Sequence, residues 1–93
     1  MANAEKTQLR IVAYRDADMW VAQCLEYDIS AQALDMDTLV ARMHATIVAE
    51  ADHTREVHGE AFLGLEPAPS MYESLFERAK SRLSDENDFR IAA

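Results

Sequence analysis

The residues best equipped for chemistry lie close together in the middle of the chain, where Asp52, His53, Glu56 and His58 offer two carboxylates and two imidazoles. His53 and Glu56 are three positions apart and therefore neighbours on a helix. A closed zinc site takes about four converging ligands in tetrahedral geometry. His58, five positions beyond His53, is rotated onto a different face, so the spacing reads as a solvated helix end, and no metal or other cofactor is expected. His44 falls partly on an apolar stripe, but acid–base chemistry needs a positioned partner, and the sequence supplies none at a recognisable spacing. Cys24 shares a strand face with Ala22 and Trp20, where a thiol acts as a small apolar filler. The acidic pairs Asp16/Asp18 and Asp35/Asp37 fall at a turn and at a helix start, where Asp is favoured for local backbone hydrogen bonds. A glycine-rich phosphate loop, a Ser-His-Asp order and a zinc signature are all missing from the sequence. The expectation is a protein that binds and does not catalyse.

Charge says what it would bind. Seventeen acidic residues against nine basic ones leave a formal net charge of -8. Affinity for nucleic acid comes largely from Lys and Arg neutralising phosphates, so no nucleic-acid partner is expected. From residue 35 to residue 66 seven acids face two arginines, a net of -5, which would speed the approach of a cationic partner. Asp52 and Glu56, one helical turn apart, can present two carboxylates to an Arg or Lys cluster. The plain alternative is a soluble helix face. A single cysteine excludes an intramolecular disulfide. A polar N-terminus without a signal-like run, and the lack of any stretch near the ~18 apolar residues of a span, make the cytoplasm the expected location and leave no role for a membrane.

The elements that would carry these residues emerge from periodicity. Ninety-three residues suffice for one small core. After a flexible N-terminus at 1–8, alternation predicts a strand over Gln8 to Arg15, a second over Met19 to Leu25 and a third from Ile29 to Ala33, forming a three-stranded antiparallel meander. At Asp35 the period changes: Met36, Leu39, Val40, Met43, Ile47 and Ala51 form one stripe at helical spacing. Asp37 or Thr38 would cap this long helix and Gly59 would end it. Ala61 to Leu65 reads as a short fourth strand, closing a domain over 9–66. Pro67-Ala68-Pro69 then leads to Ser70-Met71-Tyr72-Glu73, a capping-box sequence, and to a C-terminal helix carrying Tyr72, Leu75, Phe76, Ala79 and Leu83 on one face and ending near Ser84. The tail at 85–93 is either frayed or an edge that pairs with another chain. The fold class is α+β. Val12, Tyr14 and Trp20 are placed together on the sheet face opposite the long helix, where either the C-terminal helix or a second subunit covers them.

With these elements placed, the stretch from Trp20-Val21-Ala22-Gln23-Cys24-Leu25 through Glu26-Tyr27-Asp28-Ile29-Ser30-Ala31-Gln32, then Asp37-Thr38-Leu39-Val40-Ala41, resembles the HicB-like antitoxin family. The resemblance covers roughly residues 9 to 58, and Pro67-Ala68-Pro69 is in keeping with it. Where the family carries a Pro-Asp-x-Pro-Gly loop this chain has Leu25-Glu26-Tyr27-Asp28-Ile29, and Met36 stands for the glycine before the Asp-Thr pair. The resemblance implies a strand-strand-strand-helix-strand domain that assembles as a dimer or tetramer and binds a small basic ribonuclease toxin. The chain beyond residue 66 is too short for a helix-turn-helix and holds no basic recognition stretch, so an isolated HicB-like domain is expected. The alternative is a stand-alone oligomeric domain with another ligand or protein-binding role, outside any toxin–antitoxin pair.

Overall fold

The computed structural model describes residues 9–79, 82–84 and 89–92. The expected flexible segment 1–8 lies outside them. Strands β1 (Leu9–Asp16), β2 (Met19–Cys24) and β3 (Ser30–Ala33) form the antiparallel meander, and α1 (Met36–His58) comes next. The fold is α+β, as the change of period at Asp35 implies. After α1 come α2 (Met71–Arg78), β4 (Arg82–Ser84) and β5 (Phe89–Ala92). The five strands form one sheet in the order β3-β2-β1-β5-β4. All pairings are antiparallel except β1 with β5, which is parallel and sets Leu9 beside Phe89 and Val12 beside Ala92.

Helix α1 covers one face of the sheet because its stripe and the strand alternation agree. Leu39, Met43 and Ile47 bury against Ile11, Ala13, Ala22, Cys24, Ala33 and Ile91. Small residues at the sheet positions let the helix approach closely, leaving a cavity of about 10 Å³ between Met43, Leu39 and the strands. The cap of the helix is Asp35, ahead of the expected Asp37 or Thr38: its Oδ1 accepts from the Thr38 backbone N–H at 2.8 Å and its Oδ2 from the Thr38 hydroxyl at 3.0 Å. Those bonds hold the Asp35 carboxyl below its ordinary pKa. The helix ends where expected, at Gly59 in the left-handed conformation (φ 86°).

The segment after Gly59 departs from expectation. Ala61 to Leu65 is not a strand. It is a turn in which Phe62 (φ 68°) and Gly64 (φ 92°) take left-handed backbone conformations, which an extended strand excludes. The turn is fixed by Thr54, whose buried hydroxyl accepts from the Phe62 N–H at 2.6 Å, and by Phe62 stacking on Tyr27 at 4.4 Å between ring centroids. An apolar run thus reaches the core through irregular backbone. The chain next passes the β2–β3 loop, with Asp28 N–H donating to Glu66 C=O and Ala68 N–H to Leu25 C=O. That route carries α2 to the opposite face of the sheet.

Helix α2 is also shorter than the periodicity suggests. It stops at Arg78, not near Ser84, and Leu83 belongs to β4. Ser70 does not form the capping box: its backbone is already helical (φ -60°, ψ -21°) and its side chain makes no capping bond. Residues 89–92 of the expected tail pair with β1 of the same chain.

Candidate functional site

The three residues expected to share one sheet face do not share it. The β1–β2 turn has two residues, Ala17 and Asp18, so Tyr14 lies opposite Val21 and Arg15 opposite Trp20. Directly opposed residues share a face. Trp20 therefore lies on the α1 side, packed beside the main core with the Arg15 guanidinium 5.2 Å from its ring centroid. Val12 and Tyr14 face the other way. Val12 is buried with Leu25, Phe76 and Ala92, and Tyr72, Leu75 and Ala79 pack around them. The cover on that face is α2 of the same chain. Tyr14 and Tyr72 pack with ring centroids 6.2 Å apart. A hydrogen bond to Tyr72, helped by partial burial, pushes the Tyr14 phenol up to about 12. A groove lined by Val12, Tyr14, Leu75, Arg78 and Ala79 remains between β1 and the end of α2.

What holds α2 in place is a network that periodicity does not foreshadow. The Arg10 guanidinium donates to both carboxylate oxygens of Glu73, at 3.0 and 2.8 Å, and through Nε to Glu26. Glu26 also accepts from the Arg10 backbone N–H at 2.8 Å. Glu73 reaches across to β1 and not back to its own helix start, so the returning half of the capping box is not made either. The two carboxylates, Glu73 first, raise the Arg10 pKa above its already high ordinary value. Nearby, buried Gln23 donates to Asp28 Oδ1 at 2.8 Å and to the Cys24 carbonyl, fixing the β2–β3 loop. A sequence signal for the network exists only in hindsight: Arg10 is a cation on a strand whose other residues from Leu9 to Ala13 are all apolar.

The acidic surface gathers at the far end of α1. Asp52 and Glu56 are exposed there, with Asp52 paired to Arg55 at 2.9 Å. Glu60 and Glu66 are exposed in the segment beyond, and the apolar Val57 and Leu63 of the same stretch are 58% and 49% exposed. The unsatisfied carbonyls at a helix C-terminus carry partial negative charge, which adds to these carboxylates. The net charge of this stretch is negative and would attract a cation. His53 and His58 are exposed at the same end, and among the described residues no three His, Cys, Asp or Glu side chains gather as a metal site would require.

Cys24 is fully buried, and its desolvation pushes the thiol pKa up, so it is held as a neutral thiol within the core. Among the described residues no helix is long and apolar enough to cross a membrane. Comparison with protein-family models, with curated proteins and with solved structures finds no match to this chain.

Proposed function

We propose that this chain is a non-enzymatic HicB-like domain that acts by protein binding, with an antitoxin-like neutralisation of a small basic protein as its specific form. The observation that carries the reading is the acidic stretch from the end of α1 into the turn after it, where Asp52, Glu56, Glu60 and Glu66 are exposed, as are the apolar Val57 and Leu63. The sign of that charge favours a cationic partner and speeds its approach, an effect that weakens with salt. The order of β1, β2, β3 and α1 agrees with the first four elements the resemblance implies, while the strand expected next, at Ala61 to Leu65, is not formed.

The test is co-purification from the native host at low and high salt. A small basic protein is expected to be retained at low salt and released at high salt, and Asp52→Asn with Glu56→Gln should weaken its retention. Specific retention of nucleic acid, or a basic partner indifferent to salt and to both substitutions, would overturn the reading.

A second reading, a stand-alone homo-oligomeric domain, is favoured by a separate observation: the outer strand β3 carries no charged residue.

A further inference from the structure

Helix α2 is bounded so that it can leave the sheet without taking the rest of the fold with it. Ahead of it the chain is fastened by the Ala68 N–H, which donates to the Leu25 carbonyl, and beyond it the chain re-enters the sheet as β4, paired with β5. Neither attachment runs through α2. The helix has no side-chain cap at its start, and its last backbone bond, from the Ala79 N–H to the Phe76 carbonyl, is 3.4 Å long. Isolated helices shorter than ~12–15 residues are marginal in water, so eight residues that lift off the sheet also unwind. What keeps them docked is the apolar cluster of Phe76 with Val12, Leu25 and Ala92, together with one cation. The Arg10 guanidinium joins Glu73 to Glu26 and also lies 5.8 Å from the centroid of the Phe76 ring. A single strand residue thus touches both the polar and the apolar anchor of the helix.

We propose that α2 is a lid locked by Arg10: it opens as a unit, with α1 and the sheet intact, and the Arg10–Glu26–Glu73 lock sets how often the Val12 face of the sheet is uncovered. Proteins open locally in contiguous units, at free energies from near zero up to that of global unfolding. A helix with one buried residue among eight belongs toward the lower end of that range. The lock itself is reached by water, since 35% of the Arg10 side chain and 46% of the Glu73 side chain are exposed. Attraction between solvent-reached charges weakens as salt rises, so the lid responds to its ionic surroundings. Helix α1 does not share that response, because Leu39, Met43 and Ile47 dock it by aliphatic burial. Opening turns Val12 and Leu25, which the closed protein hides, into accessible apolar surface.

Hydrogen exchange of the full chain, followed by mass spectrometry at low and high salt, reads the lid directly. The amides of residues 75–78 are expected to be about tenfold or more less protected than those of residues 43–54 in α1. High salt should lower their protection further and leave α1 unchanged, an arm that needs no variant. Arg10→Gln should lower the protection of 75–78 by about fivefold, the size of one partly exposed ion pair, and should abolish the salt response. Glu73→Gln, which keeps the shape of the side chain without its charge, should do the same. Arg55→Gln, which removes the pair with Asp52 on α1, should leave 75–78 as they are. Protection of 75–78 equal to that of α1, a salt response that survives Arg10→Gln, or an Arg10→Gln effect spread equally over α1 and α2 would each overturn the proposal.

Discussion

The two faces of the sheet are held by different physics. Under α1 a 23-residue helix buries Leu39, Met43 and Ile47 against small strand residues. Under α2 an eight-residue helix buries Phe76 with Val12, Leu25 and Ala92, packs Tyr72 and Leu75 beside them, and is oriented by the hydrogen bonds among Arg10, Glu26 and Glu73. Aliphatic burial is non-directional and scales with area, so a long stripe is enough to dock a long helix. A short helix has little area to bury, and directional charge-assisted hydrogen bonds decide where it sits.

The largest single contribution to the α1 face comes from residues such as Met43, which is 1% exposed. Met43→Ala is expected to cost about 2–5 kcal/mol in denaturant unfolding, because it deletes buried volume beside an existing cavity. Arg10→Ala should cost less, about 1 kcal/mol, since its partners are partly solvated and exposed ion pairs contribute little. Equal costs for the two would erase the distinction between a face held by a long apolar stripe and one oriented by charged hydrogen bonds over a smaller apolar cluster.

The helix starts sharpen it further. Asp35→Ala removes two hydrogen bonds and should lower the melting temperature of the protein at neutral pH. The folded-state pKa of Asp35 lies below its unfolded value, so its contribution is complete above the unfolded pKa and is lost as pH falls through the folded one. Ser70→Ala, by contrast, should change stability by no more than about 0.5 kcal/mol, because its hydroxyl caps nothing. A clear loss on Ser70→Ala would mean that α2 is anchored at its start and not through Arg10.

Legibility in the sequence divides along the same line. The meander and α1 are visible because Leu9, Ile11 and Ala13, and then Leu39, Met43 and Ile47, repeat at the periods of the elements they build. Trp20 lies on the face opposite to the expected one because the face depends on the two-residue turn at Ala17 and Asp18, a register that alternation within each strand does not specify. Ala61 to Leu65 is apolar enough for a strand, yet Phe62 packs against the core with a left-handed backbone held by Thr54, eight positions earlier, and by Tyr27, far away in sequence. Leu83 fits the helical spacing set by Leu75 and Ala79, so β4 is hidden inside an apparent helix. Of the candidate surface, the exposed carboxylates Asp52 and Glu56 are legible from charge. The exposure of the apolar Val57 and Leu63 emerges only once the chain is folded.

The parallel pairing of β5 with β1 imposes an order of events during synthesis. The meander and α1 are made first and can form from contacts close in sequence, whereas Leu9 finds Phe89, eighty positions later, only after the residues between them have left the ribosome. Until then β1 has one open backbone edge, so the nascent chain exposes two unpaired edges, one at each side of a three-stranded sheet. Closing the second requires a contact between the two extremes of the described chain, which is slow because the intervening loop must close first. The β4–β5 hairpin is thus the last part to join, and the interval before it does is when this protein is most vulnerable to pairing with the wrong strand.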